Sequence, residues 1–551
     1  MIRIGNCSGF YGDRLAAMRE MLDGGELDVL TGDYLAELTM LILARDRLKD
    51  PTAGYAKTFL RQLEDCLGLA VERGVKIVVN AGGLNPAGLA GAVSALADRL
   101  GLSVAVGHVV GDELPADDGI ANAYLGCWGI VECLRGGADI VLTGRVTDAS
   151  LLVGPAAWHH GWARDDWAAL AGATVAGHVL ECGAQATGGN FSGFQSLDLR
   201  HPGFPLAEVA ADGSAVITKH PGSGGAVTTH TVTAQLLYEI SGRDYLGPDV
   251  VTRFDSIQLG DDGPDRVRIS GVTGEPPPAT LKVGTVRLAG FRNATTFVLT
   301  GLDIEAKAAL VRSQVEDALP ARPEGLVWTL ARTDHPDAET EEAASALLHL
   351  SVRDRDKDKV GRAFSRVPIE LALSSYPGFH VTAPPGDASP YGVFVASSVL
   401  QSDVDHVAVL PDGRRVDVPP TGSFAGAARP ERWFRSPAIM VPTRRVPLGT
   451  IAHARSGDKG GQANIGIWFE TDEAYQWFVS WLDRNRVYEL LPEAAGLPLS
   501  VSQLPNLRAT NIVIDGILGE GVAASTRFDP QGKALGEWVR SRLVHIPADL
   551  L

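Results

Sequence analysis

Over its first 150 or so residues the chain alternates short apolar runs with amphipathic stretches, and this alternation restricts the fold more than any other feature. Ile2–Ile4, Asp28–Leu30, Lys76–Val79, Ser103–Val106 and Asp139–Leu142 read as strands. Between them, stretches such as Tyr55–Leu67 repeat apolar residues three and four apart, the period of a helix that buries one face. Strand–helix alternation joins parallel strands by right-handed crossovers, so this half is predicted to be a doubly wound, mostly parallel sheet of the α/β class.

Three of these strands end in loops of glycine and polar residues, where open α/β sheets bind ligands. In Asn6–Arg14, Ser8 and Gly9 offer main-chain amides to an anion, and Asp13 is a candidate proton carrier; no nearby histidine activates Ser8 as a nucleophile. In Asn80–Pro86, Asn80, Gly82, Gly83 and Asn85 are candidate ligand contacts, because an Asn85 cap followed by Pro86 leaves the first helical amides open to a phosphate or carboxylate. The alternative is an ordinary capped turn. In Thr143–Asp148, Thr143 and Gly144 are candidate contacts, Arg145 offers a planar fork for an acid group, and Asp148 is the candidate acid or base. The alternative is an internal Arg145–Asp148 ion pair that fixes the turn.

From about residue 185 the sequence becomes strand-rich and punctuated by glycine and proline, which predicts a mixed α+β lobe with helices near 302–318 and 338–350. Gly189-Asn190-Phe191-Ser192-Gly193 repeats the glycine and serine spacing of Gly5–Gly9. The charge run Arg353–Lys359 predicts a solvated surface. A proline- and arginine-rich stretch, 411–446, reads as a linker. The predicted parts are therefore 1–184, a Rossmann-like α/β region; 185–410, the mixed lobe; the linker; and 447–551, a small α+β domain. In that last part the predicted order is a strand, a glycine loop, a strand to Phe469, a helix Asp472–Leu482, a strand Ala509–Ile514 and a helix Leu535–Leu543, as in a ferredoxin-like sandwich.

The glycine loop carries Arg455, Ser456, Asp458 and Lys459 between glycines. Lys459 suits a phosphate or carbonyl and Arg455 a carboxylate, with Asp458 orienting either cation; the alternative is that these charges dock the small domain on the large one. Phosphate-loop and zincin signatures are absent, no full G-x-G-x-x-G occurs, and the thirteen histidines are scattered, so neither a nucleotide cofactor nor a metal is predicted. A net charge of -17 repels nucleic acid, leaving a small anionic molecule in a locally basic pocket as the expected ligand. No apolar run approaches the ~20 residues of a membrane span. The five cysteines contain no C-x-x-C pair and read as reduced thiols, which predicts a cytoplasmic protein.

Taken in order, Gly5–Asp13, Asn80–Pro86, Leu142–Asp148 and Ala454–Gly460 resemble the acyclic terpene utilisation AtuA family over nearly the whole chain, with an AtuA-like ferredoxin-fold tail. The resemblance implies a place in the catabolism of acyclic terpenoids such as citronellol and geraniol, among enzymes that handle coenzyme A thioesters. Combined with the acid, base and arginine at the strand ends, it gives the expectation of a lyase or hydratase acting on an acyl-coenzyme A or a carboxylic acid, with coenzyme A only as part of the substrate. The alternative is a non-catalytic partner of an acyl-coenzyme A carboxylase or another pathway enzyme. A homo-oligomer is expected.

Overall fold

The computed structural model describes residues 1–422, 424 and 442–551, so half of the linker expected at 411–446 lies outside the described residues. The chain divides into two compact units. The larger comprises Met1–Val286, Phe394–Val522 and Asp529–Leu551, the smaller Arg287–Val393 and Ala523–Phe528.

The expected strands open the larger unit as β1 (Ile2–Asn6), β2 (Val29–Gly32), β3 (Lys76–Val79) and β4 (Val106–Val110). Two strands not expected from the sequence, β5 (Glu113–Leu114) and β6 (Ile120–Ala123), precede β7 (Ile140–Thr143), the fifth expected strand. The helices among them are α1 (Ala17–Gly24), α2 (Glu37–Lys49), α3 (Lys57–Glu72), α4 (Pro86–Leu100) and α5 (Trp128–Arg135), followed by α6 (Ser150–His160) and α7 (Trp167–Leu180). Strands β1, β2, β3, β7 and β4 lie side by side in that order and all run parallel. The next segments, β8 (Pro205–Val209) and β9 (Ala215–Lys219), extend the sheet antiparallel beyond β1. Val407–Val409 pairs antiparallel with β4 at the other side.

Side-chain alternation explains why this sheet is covered twice. Leu30, Ile77, Val79, Ile140 and Leu142 join one apolar cluster with residues of α1, α3 and α4, such as Leu22, Leu63 and Val93. Their neighbours Val29, Val78 and Val141 point the other way, into a cluster with Ile130, Leu152 and Val175 of α5, α6 and α7. Helix α7 is apolar around its whole circumference, and twelve of its fourteen residues are buried. The winding sets the crevice: after β3 the chain crosses to β4, and β7 then returns to lie between them. Thus the carboxyl ends of β2, β3, β7 and β4 open side by side.

Within the same unit the tail forms a four-stranded antiparallel sheet in the order Ala452–Lys459, Gln462–Phe469, Ala509–Ile514, Leu499–Leu504. The expected glycine loop is a strand. Ala452–Lys459 pairs residue by residue with Gln462–Phe469, and only Gly460 and Gly461 form the turn, Gly460 at φ 66°. Alternation divides this sheet too. Ala454, Ile465, Ile467, Ile512 and Ile514 enter a core with Tyr475, Phe478 and Val539 of the tail helices, while Arg455, Asn464 and Asn511 contact residues Gln185 to Ile240 of the main body.

The smaller unit pairs the later part of the strand Thr280–Thr300 with Ser345–Asp354, and that strand with Gly325–Ala331. Helix Ile304–Ala318 agrees with expectation, whereas the helix expected over 338–350 is replaced by strand from Ser345. Ala346, Leu348, Leu350 and Val352 are all fully buried, a period of two that commits the segment to a sheet face. The charge run also departs from a fully solvated surface: Asp354 is buried, accepting from Lys359 Nζ and the Asp356 and Glu324 amides.

Candidate functional site

The strand ends carry a buried polar network. Asp33 directly follows β2, and its carboxylate accepts from Asn80 Nδ2 at 2.6 Å; the Asn80 Oδ1 accepts from the Tyr34 amide at 2.7 Å. Asp112 follows β4 and accepts from the Arg145 amide at 2.9 Å and from Asn122 Nδ2 at 2.9 Å. Arg145 is 5% exposed. Its guanidinium donates to the Leu35 carbonyl at 3.1 Å, pairs with Asp148 at 3.2 Å and lies 4.2 Å from the centre of the Tyr124 ring. Lys282 stands 4.6 Å from the same ring, so two cations share one aromatic side chain.

Tail residues complete this cluster. Asn464 donates to the Leu237 carbonyl at 2.7 Å and accepts from the Glu239 amide at 2.8 Å, while Asn511 donates to the Ile240 carbonyl at 3.1 Å. These bonds hold Leu237–Ile240 with Glu239 at φ 57°, a left-handed conformation that costs a non-glycine residue about 1–3 kcal/mol unless its surroundings impose it. Lys459 then donates to the Glu239 carbonyl at 3.3 Å and lies 5.9 Å from the Tyr245 ring centre. Arg455 donates to Gln185 Oε1 and lies 4.3 Å from the Tyr238 ring centre. Gly457 is required where it sits, because a Cβ there would stand 2.3 Å from the Tyr238 ring.

Burial then decides the protonation of the cluster. It holds Asp33 well above the ordinary carboxylate range; the charge of Asp148 pushes it further, against Arg145 and Asn80. Glu181, at the end of α7, is raised by burial and by Asp148 and Glu239, against Lys459 and Arg145. Its Oε1 meets His178 Nδ1 at 3.0 Å, while Oε2 is buried with no hydrogen-bond partner among the described residues. Burial raises Glu37 as well, opposed by Lys282, and carries Asp458 up to about 8 with help from Glu239 and Glu37. Asp112 is pushed up to about 6 by burial, held back by the Arg145 amide and Asn122.

Among the cations, burial brings Lys459 down to about 8, with Lys282 adding to the effect and Glu239, Glu181 and Asp148 opposing it. Arg455 is also lowered by burial. Arg145 differs: burial works against its charge, yet Asp148, Tyr124 and Asp33 together raise it above the ordinary arginine range. The result is carboxyls that favour the protonated form together with an ammonium that releases its proton at mildly alkaline pH, a combination suited to moving protons within one site.

Not every residue singled out from sequence enters this cluster. Ser8 Oγ donates to the Phe10 carbonyl at 3.0 Å, and Asp13 accepts from the Gly9 and Arg14 amides at 2.8 and 2.7 Å, so both tie their own loop. Asn85 caps α4 by accepting from the Gly88 amide at 2.9 Å. Gly82 lies where a Cβ would meet the Thr143 carbonyl at 2.5 Å, and Gly83 has φ 52°. Thr143 Oγ1 donates to the Gly144 carbonyl, and Gly144 leaves room for the Asp112 carboxylate. Ser456 faces the tail, donating to the Lys533 carbonyl at 3.0 Å and accepting from the Gly536 amide at 2.9 Å.

Sequence reasoning passed over Asp33, Asp112, Glu181, Glu239 and Lys282. The first two had a signal, since each follows a strand directly after a glycine. Glu181 ends an apolar helix and Glu239 sits in an irregular turn, so only tertiary packing identifies them. A cleft lined by Trp128, Arg164, Asp249 and His406 shares none of the cluster's residues. There Asp249 accepts from the Cys127 amide at 2.8 Å. Among the described residues, no group of three or more His, Cys, Asp or Glu is arranged to hold a metal ion, and no helix is long and apolar enough to cross a membrane.

Fold and site together define an α/β protein whose strand-end acid cluster is completed by residues of a small α+β tail domain. The sequence matches the acyclic terpene utilisation family protein AtuA over residues 2–119 and 116–410, and the AtuA ferredoxin-like domain over 446–545. The chain belongs to the acyclic terpene utilisation AtuA family and carries its ferredoxin-like domain. No curated protein and no solved structure gives a match.

Proposed function

We propose that this protein is an enzyme of acyclic terpenoid or branched-acid catabolism that adds or removes water, or an equivalent small group, on an acyl-coenzyme A or carboxylic acid by acid–base chemistry. The observation that carries this reading is the raised carboxyl of Glu181 in the field of Lys459, itself brought down to about 8, with the raised carboxyl of Asp33 joined to both through the charge of Asp148. An elimination needs a base to take a proton beside a carbonyl and an acid to protonate the departing hydroxyl, and both groups work best when their pKa lies near the working pH.

In this reading Lys459 accepts the proton, and Glu181 or Asp33 donates to the leaving oxygen. Burial keeps both carboxyls protonated and the charge of Asp148 adds to it, while Asp148 serves as a second proton carrier. Lys282 and Arg145 hold the carbonyl or carboxylate oxygen of the substrate, because their charges lie at the same aromatic ring. Protonation of Asp33 and Glu181 also reduces the negative charge that would repel an anionic substrate. No cofactor is required by this scheme.

Purified protein is incubated with a panel of unsaturated and hydroxylated acyl-coenzyme A thioesters and the corresponding acids, with products detected by mass spectrometry. A mass change of 18 Da on at least one of them supports the proposal. No turnover, together with a gain of activity when the protein is added to a pathway carboxylase, would sink it and favour the accessory role.

A further inference from the structure

A second arrangement of reactive side chains lies on the outward course of the same tail strand. Ser192 Oγ stands 2.9 Å from His453 Nδ1, and His453 Nε2 stands 3.3 Å from Glu470 Oε1. A carboxylate only accepts, so the proton of the neutral imidazole belongs on Nε2, and Nδ1 is left with a lone pair facing the serine hydroxyl. These residues are separated by 261 and 17 positions and come together because the tail sheet packs on the main body within one unit.

The imidazole is held rigidly. Its ring stacks on Phe191 with centroids 5.5 Å apart and on Trp468 at 5.2 Å, and His230 lies 5.4 Å away, itself accepting from Trp468 Nε1. Burial keeps its pKa below the ordinary histidine value, with His230 and Arg540 acting in the same direction and Glu470 opposing. Ser192 occupies a tight turn between Asn190, at φ 58°, and Gly193, where a Cβ would meet the Phe191 ring at 2.5 Å. The main-chain amides of Ser192 and Gly193 have no hydrogen-bond partner among the described residues, which leaves them free to receive an oxyanion.

We propose that Ser192, His453 and Glu470 form a hydrolytic triad that cleaves a short acyl ester or thioester, independently of the strand-end acid cluster. Ser192 Oγ bonds to the acyl carbon as its proton passes to His453 Nδ1. The bond from carbon to the leaving sulfur or oxygen then breaks, and the leaving group takes that proton. Water attacks the acyl-serine, gives a proton to Nδ1, and the acid departs as Oγ recovers the proton. Glu470 is a positioning residue that acts through the imidazole.

The test is labelling of the full-length protein with a fluorophosphonate, with the adduct mapped by tandem mass spectrometry, alongside hydrolysis of p-nitrophenyl butyrate. The expected result is an adduct on Ser192, with hydrolysis lowered about 100-fold or more in Ser192→Ala and His453→Gln. In Glu470→Gln the loss is smaller, and the acid limb of the pH profile moves to lower pH because the raising influence of the carboxylate is gone. An unlabelled Ser192 in the folded wild-type protein, or hydrolysis unchanged in Ser192→Ala, would overturn the proposal and leave the serine–histidine bond as a contact between tail and main body. The wild-type labelling decides the matter even if His453→Gln fails to fold.

Discussion

Lys459 Nζ lies 3.3 Å from the main-chain oxygen of Glu239, a hydrogen bond between a tail strand and an irregular turn of the main body 220 residues away. The contact joins the two regions at the acid cluster, and it depends on Asn464 holding the Glu239 amide at 2.8 Å. The ammonium thereby sits where burial lowers its pKa to about 8, a value that makes it a base at mildly alkaline pH.

If Lys459 takes the substrate proton, kcat/KM should rise with pH through about 8 and level off above it, because only the neutral amine accepts. In Lys459→Met the residual rate should lose that limb and fall about 100-fold or more. Rates measured across the pH range in both proteins check this, and an unchanged profile in Lys459→Met would remove the lysine from the reaction.

Asp148→Asn should lower turnover by about two orders of magnitude while the protein stays folded, since the amide keeps the shape but neither carries the proton nor raises Asp33 and Glu181. Arg145→Met should instead unfold more easily. Removing a buried ion-pair partner costs about 3–5 kcal/mol, and the lower end applies because Asp148 keeps 29% of its side-chain surface exposed. Urea unfolding and single-turnover kinetics on both variants separate the two effects.

Gly457→Ala should weaken the seating of the tail on the main body, because its new methyl would stand 2.3 Å from the Tyr238 ring. Overpacking of this kind costs about 1–3 kcal/mol. In a Tyr238→Ala background the same substitution should cost much less, so a double-mutant cycle of thermal stabilities reads the clash directly.

Asp458→Asn should change the dependence of stability on pH in a definite direction. The folded-state pKa of Asp458 is raised from 3.8 to about 8, so its stabilising contribution is complete below about pH 4 and is lost as pH rises through about 8. The variant should therefore gain on the wild type in Tm between pH 4 and 8, and parallel Tm curves over that window would contradict the assignment of burial as the cause.

Local patterns in the sequence carried the parallel sheet and its two helical layers. Lys76–Val79 stands as predicted, because four consecutive apolar or stem-buried residues have no stable place outside a covered sheet. The strand expected at Ser103–Val106 begins instead at Val106, where pairing with β7 starts. Helix-like composition misled at 338–350, where acidic and alanine residues imitate a helix and burial of every second side chain from Ala346 decides for a strand.

Residue types at strand ends were equally visible: Arg145, Asp148 and Lys459 could be named before any fold was known. What the sequence by itself determined was which segments are strands or helices and which loops carry charge, because these follow from side-chain periodicity and backbone preference within a few residues. Only the tertiary structure decided that Asp33, Glu181 and Glu239 share a site with Lys459, and that Ser192 faces His453. Those meetings are set by the packing of the tail sheet on the main body, and the protonation of the groups by how much water that packing removes. Neither quantity belongs to any one stretch of chain.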